Sequence, residues 1–352
     1  MAPSADVCVL LPAFNESATI ADVITSYQAA GFTDILVIDG GSTDGTRELA
    51  REAGATVITQ TGSGKGQAVR EAVRKIDAPY VLMADADMTY RADDAEAMLE
   101  PLLAGEADHV IGDRFADMKS GAMTTFNKVG NRIFNRFFSL VYRENYGDIL
   151  SGYRAFTTDS FERLTLSADG FGIETEMAVQ CAKHNIETTV VPITYQPRPD
   201  GSATNLHPIK DGSIIFMELY RNAKTSNPLF YFGSVGLLST MVGGGLLGFV
   251  IYRWLWAGVN HELLAVGGVA SVLLGVQLLI FGFLADMIQS LHREQRERID
   301  RLETELERKA EEVATESERS TLQADAEAGE PAEGDVPSET PAEQPATADS
   351  DR

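Results

Sequence analysis

Four short apolar runs separated by amphipathic helical patterns fill the stretch from Val7 to Met88, and no other feature limits so narrowly what this chain can fold into. Val7-Cys8-Val9-Leu10-Leu11, ended by Pro12, is apolar at every position, as a strand covered on both faces must be. Asn15-Glu16-Ser17 opens a helix with Ile20, Val23 and Ile24 on one face. Ile35 to Ile38 repeats the strand. Asp39-Gly40-Gly41-Ser42-Thr43-Asp44-Gly45 then turns the chain, and Thr46 to Ala53 reads as helix. Thr56 to Thr59 is a third strand, and Gly62-Ser63-Gly64-Lys65-Gly66 leads into a helix from Gln67 to Ile76. Tyr80 to Met83 begins the fourth. This alternation predicts an α/β fold, a mostly parallel sheet with flanking helices and right-handed crossovers.

The fourth run ends in Asp85-Ala86-Asp87. In extended chain, residues i and i+2 project to one side, so both carboxylates face one ligand. Two anions that close call for a cation, and hard oxygen ligands suit Mg²⁺ or Mn²⁺; solvated aspartates at a turn are the plainer alternative. The other strand ends of that edge carry Pro12 to Glu16, Asp39, Gly62 to Gly66 and Arg114. Acidic groups for ribose and base edges, glycines for close approach and a metal for a diphosphate fit a nucleoside-diphosphate donor. A P-loop around Gly64-Lys65 fails, because Thr59 stands where its first Gly belongs and Gly66 follows the Lys. A dinucleotide site fails too, for no G-x-G-x-x-G opens the first helix.

Further on, His109 to Gly112 gives a fifth strand and Glu187 to Ile193 another, followed by the polar loop Gln196 to His207. Thr124 to Tyr142 is an aromatic helix studded with Lys128, Arg132 and Arg136, with Arg143 just beyond. Such a helix lies in a membrane interface or packs on the sheet, and the pattern leaves both open. Residues 229–252 and 263–285 carry no charge and each exceeds the roughly 20 residues that cross a hydrocarbon core. They read as a transmembrane hairpin. Arg221 and Lys224 precede it and Arg293, Arg296, Arg298 and Arg301 follow, which places both ends in the cytoplasm. The expected organisation is a catalytic domain over 1–215, a linker over 216–228, the two spans, a charged helix or short coiled coil over 286–314 that could pair two copies, and a disordered acidic tail over 315–352.

The formal charge is −23, and the segment from Arg293 to Arg352 holds 19 acidic against 8 basic residues. The body is therefore acidic as well, which excludes a nucleic-acid binder and suits solubility in strong salt. The two cysteines, Cys8 and Cys181, sit in apolar surroundings and are expected to be reduced. His184 and His207 have no metal-ligand spacing around them.

Leu11-Pro12-Ala13-Phe14-Asn15-Glu16, Val37 to Thr46 and Asp85-Ala86-Asp87 resemble the inverting family 2 glycosyltransferases. Ser151-Gly152-Tyr153-Arg154-Ala155-Phe156 narrows the resemblance to their dolichyl-phosphate hexosyltransferase branch, and the acidic composition to the archaeal enzymes that start surface-layer N-glycans. The resemblance covers residues 6 to 215. It implies a GT-A fold, a UDP-hexose or GDP-hexose donor, a divalent metal, and transfer of one hexose to dolichyl phosphate. It puts Pro12, Phe14 and Glu16 around base and ribose, with Asp39 at the first acidic position of D-D-G-S and Gly40 in place of the second. Asp85 and Asp87 match the metal and diphosphate motif. Arg114 matches the arginine that meets phosphate, and Arg198 belongs to a loop that closes over the donor, where Asn205 stands near the family's lysine.

Because a polyprenyl phosphate is already anionic, its attack needs alignment and neutralisation of the leaving diphosphate more than a base. Asp87, Arg114 and Arg132 are the catalytic candidates, Arg132 and Arg114 for the acceptor phosphate and Lys65 for the donor. Glu174 and Glu176 stand either near the sugar, as a base, or as a plain acidic helix start. The rival functions are a glycan-extending transferase, which would show a second carboxylate pair and Q-x-x-R-W, and a non-catalytic membrane adaptor.

Overall fold

The computed structural model describes residues 6–170, 172–199, 212–213, 216–217, 219–220, 224, 227–291, 295 and 298. Most of the loop to His207, the tail from 315 and most of the expected charged helix lie outside the described residues.

Seven strands form one sheet in the order β3-β2-β1-β4-β6-β5-β7. They are β1 (Val7–Ala13), β2 (Asp34–Asp39), β3 (Thr56–Thr59), β4 (Tyr80–Met83), β5 (His109–Met118), β6 (Arg154–Thr157) and β7 (Thr188–Tyr195). Helices α1 (Ile20–Ala29), α2 (Thr46–Glu52), α3 (Lys65–Val73) and α4 (Ala95–Leu103) alternate with the first strands. β1 pairs parallel with β2 and β4, β2 with β3, and β5 with β7. β6 runs antiparallel between β4 and β5. The sheet is thus mostly parallel, with one reversed strand that the sequence reading lacks.

Covering both faces follows from the uninterrupted apolar runs. Val7, Val9 and Leu11 join one buried cluster, while Cys8 and Leu10 join the other. Ile35 and Val37 divide from Leu36 and Ile38 in the same way. Each such side chain, fully buried, contributes about 1.5–3 kcal/mol. Pro12 does not end β1. Leu10 and Pro12 face the β4 side, and pairing with β4 stops at Leu10 opposite Met83, so the missing N–H of proline falls where no ladder bond is due.

Helix α5 (Thr125–Tyr142) begins at Thr124, whose hydroxyl accepts from Asn127 N at 3.2 Å, and ends at Arg143 with φ 61°. Two short helices, α6 (Thr158–Glu162) and α7 (Ile173–Lys183), follow β6. Two further helices, Pro228–Ala257 and Glu262–Leu291, are long and apolar enough to cross a membrane. They outrun the charge-free stretches because a helix needs no apolar side chain to continue past Arg253; the first stops at Gly258, at φ 63°. They pack on glycine. A Cβ on Gly236 would lie 2.7 Å from Gly275 O, and one on Gly243 2.6 Å from Gly268 O. Gly244 and Gly245 face open space, so of that triplet only Gly243 makes the close approach.

Candidate active site

The carboxyl ends of β1, β2 and β4 open into a cavity of about 790 Å³, where open α/β sheets bind ligands. Asp85 and Asp87 both line it, but from two and four residues beyond β4, where the chain bends and is no longer the extended strand that i, i+2 spacing assumes. Lys65, the first residue of α3, sets its ammonium between Asp85 Oδ1 and Glu174 Oε1, the latter at 2.5 Å. Burial opposes the charge on Lys65, but the two carboxylates overrule it and hold its pKa well above the ordinary lysine range. Burial likewise opposes ionisation of Asp85, yet Lys65 foremost, then Arg198 and Arg114, keep that carboxyl below the usual range. Asp87 goes the other way. Burial first and the neighbouring Asp85 charge second push it up, against Arg198 and Thr89.

Asp87 is nonetheless tightly held. Its Oδ1 accepts from Thr89 N at 3.1 Å and Thr89 Oγ1 at 2.5 Å, and its Oδ2 lies 2.5 Å from Arg198 Nη2. Arg198 also reaches Glu16 Oε1 at 3.5 Å. Arg114, in β5, forks onto fully buried Asp148 at 2.6 and 2.8 Å and lies 5.4 Å from the Tyr195 ring centroid. Burial opposes its charge, and Asp148 foremost restores it, holding the guanidinium well above its ordinary value. Asp148 takes the Nε and Nη2 edge. Gly152 closes the floor: a Cβ there would sit 2.8 Å from Asp85 Oδ2 and 3.1 Å from Lys65 Nζ.

Residues 8–165 match the pattern described as glycosyl transferase family 2. The glycosyltransferase AglJ of Haloferax volcanii is 65% identical over 298 residues, spanning 84% of this chain and 98% of that protein. The chain belongs to glycosyl transferase family 2. A dolichyl-phosphate hexose transferase of the same organism is 30% identical over 212 residues, 60% of this chain and 90% of that one. Among solved structures, glucosyl-3-phosphoglycerate synthase of Mycobacterium tuberculosis in complex with Mn²⁺, uridine diphosphate and phosphoglyceric acid superposes with a TM-score of 0.52. It covers 62% of this chain and 78% of that one at 22% identity, a likeness of GT-A-type fold.

Within this family 2 glycosyltransferase, Pro12, Phe14, Glu16, Lys65, Asp85, Asp87, Arg114 and Arg198 line one cavity. Asp39 and Arg132 are not among its lining residues. Asp39 is fully buried; its carboxylate accepts from Gly41 N at 3.0 Å and Ser42 N at 3.1 Å, with Arg47 Nε at 3.6 Å. Much of the surrounding motif likewise binds loop to loop. Asn15 N donates to Ser42 Oγ and Glu16 N to Thr46 Oγ1, both at 2.9 Å. A Cβ on Gly40, which stands in place of the second Asp, would lie 3.3 Å from Cδ2 of the exposed Phe14. Arg132 lies exposed on α5.

The glycines of the Gly62 to Gly66 loop, expected for a ligand's approach, also have a packing role, and of them Gly64 lines the cavity. A Cβ on Gly64 or Gly66 would lie 2.1 Å from Asp169 O or 2.0 Å from Ala168 O, so at these two it is the chain itself that comes close. Glu176 accepts from Ser167 N and Ala168 N at 2.9 and 2.8 Å, fixing that same segment, whereas Glu174 enters the cavity. Gln60, Asn127, Asn131 and Tyr195 line it too, and no motif in the sequence marks them.

The carboxylate pair suits a hard divalent cation: an ammonium already stands against Asp85 and a guanidinium against Asp87. Among the described residues no cluster of three His, Cys, Asp or Glu side chains forms, so ligand or water oxygens would complete the shell.

Proposed function

We propose that this glycosyltransferase moves one hexose from a nucleoside-diphosphate sugar to a polyprenyl phosphate of the dolichyl type, with inversion, while its apolar hairpin anchors it in a membrane with both ends cytoplasmic. One observation carries the reading: a single cavity joins the charged set of Lys65, Asp85, Asp87, Glu174, Arg114 and Arg198 to the apolar Met123, Phe126 and Phe134. The similarity to a dolichyl-phosphate hexose transferase supports the acceptor. The fold shared with a synthase solved with Mn²⁺ and uridine diphosphate supports the donor.

Pro12, Phe14 and Gln60 form the base slot, with Asp39 bracing the turn behind it and Glu16 toward the ribose. Asp85 and Asp87 would hold Mg²⁺ or Mn²⁺, which neutralises charge on the departing diphosphate. Arg198 exchanges Asp87 for the donor's phosphates, and Arg114, fixed by Asp148, presents Nη1. Lys65, Asp85 and Glu174 are placed to hydrogen-bond sugar hydroxyls. A phosphate monoester carries nearly two charges at neutral pH, so the acceptor oxygen attacks C1 without a base. The C1–O bond to the diphosphate breaks on the opposite side, and the configuration inverts.

The test gives full-length protein in dolichyl-phosphate vesicles labelled UDP-glucose or GDP-mannose with Mg²⁺ or Mn²⁺. Label is expected in the organic-soluble lipid fraction, and Asp87→Ala or chelation abolishes it. Label in water-soluble glycan would replace this reading with glycan extension, and no turnover with a full donor panel would replace it with an adaptor.

A further inference from the structure

Helix α5 carries Asn127, Asn131 and Asn135 at i, i+4 and i+8, along one face. The first two line the cavity, whereas Asn135 is not among its lining residues. Its amide instead brackets Asp148, the carboxylate that forks onto Arg114. Asn135 Nδ2 donates to Gly147 O at 2.6 Å, and its Oδ1 accepts from Ile149 N at 3.1 Å. Arg154, fully buried in β6, grips the far side: Nη2 donates to Ile149 O at 2.8 Å and Nε to Ser151 O at 3.0 Å. Gly152 N donates to the Tyr90 hydroxyl at 2.9 Å, and Ser151 N closes a turn onto Asp148 O at 3.1 Å. Side chains from α5, β6 and the chain after β4 thus fix residues 147–152.

Buried backbone groups need partners whatever a loop does, so these bonds alone do not mark a function. What the loop carries does. Asp148 is fully buried and takes Arg114 Nε and Nη2 at 2.6 and 2.8 Å. Desolvation offsets much of the attraction in such a pair, which makes it a weak stabiliser. A forked carboxylate does, however, fix the direction of a guanidinium, and Arg114 lines the cavity. A cation that meets charge developing in a reaction acts best when it is aimed beforehand. We propose that Asn135 is a positioning residue for the transfer: it holds Asp148, and through Asp148 the Arg114 guanidinium, in the orientation that meets phosphate. This rests on the reading of Arg114 given above. Arg154 braces the same loop, but its removal strands two carbonyls and would report on stability. Asn135 is only partly buried, and alanine suits a helix interior, so Asn135→Ala keeps the fold.

The test compares full-length wild type with Asn135→Ala, and with Asn135→Ser as a second truncation, in dolichyl-phosphate vesicles supplied with the labelled donor that wild type turns over. In both variants kcat is expected to fall about ten- to a hundredfold, the cost of a catalytic group displaced by about an ångström. Donor KM should stay within about twofold, as when a contact is lost chiefly in the transition state. Hydrogen exchange read by mass spectrometry should quicken in residues 147–152 and stay unchanged in β1 and β2. Faster exchange there with kcat intact overturns the proposal, because the loop is then loose without harm. A fall in kcat without faster exchange overturns it too, as does a raised donor KM at unchanged kcat. Wild type that moves no label from any donor sinks the function and this proposal together. Wild-type turnover with unaffected variants sinks the positioning alone.

Discussion

Asp39, the last residue of β2, and Asp87, four residues past β4, are both buried carboxylates, yet they are used in opposite ways. Asp39 spends its oxygens on the N–H groups of Gly41 and Ser42, the second and third residues after it. Asp87 gives one oxygen to Thr89 and the other to Arg198, a side chain from a distant loop. A carboxylate engaged by its own turn stabilises that turn. One balanced by a movable cation can exchange that cation for a metal and a diphosphate.

Substitutions at the two positions should therefore separate. Asp87→Asn is expected to lower turnover by about 10²–10³-fold, the size seen when one preorganised electrostatic contact is lost, with the melting temperature little changed. Gly152→Ala drives a methyl between Asp85 and Lys65; with about 1–3 kcal/mol of overpacking, donor KM should rise about tenfold, measured by donor titration. Asp39→Asn should cost about 1–3 kcal/mol of stability, the penalty for unsatisfied buried groups, read from a denaturant midpoint, and leave donor KM unchanged. A raised KM at unchanged stability would mean that Asp39 reaches the base, and the contrast would fail.

The mildest test is acid. Asp87 is pushed up, so it takes a proton at higher pH than the ordinary aspartate value of about 4. Protonation removes the charge that holds the cation and Arg198. Donor affinity should thus fall as pH drops, starting above that value in the native protein and staying flat in Asp87→Asn. Calorimetric titration across pH checks the sign.

The parallel half of the sheet was legible because β1, β2 and β4 are covered on both faces and carry apolar runs, while the half-exposed Thr-Val-Ile-Thr of β3 follows from its place in the alternation. β6 was not: Arg154-Ala155-Phe156-Thr157 is short and opens on a fully buried arginine whose Nε donates to Ser151 O and Nη2 to Ile149 O. Nothing in its neighbours announces that burial. Arg114, expected just past its strand, lies inside β5, because pairing with β7 resumes at Asp117 after a register shift. Read from motifs, Asp39 and Arg132 belong with the donor and acceptor; one turns into its own loop and the other points away from the cavity.

The sequence by itself pointed to two neighbouring carboxylates just past a buried strand, although they stand in the bend after β4 and not in extended chain. It also determined two apolar helices from length and the absence of charge. Only the tertiary structure decided which cations answer the carboxylates. Lys65 stands 20 residues before Asp85, Glu174 comes from α7, and Arg198 from beyond β7. Such partners meet through the packing of separate elements, and no local pattern encodes where those elements land.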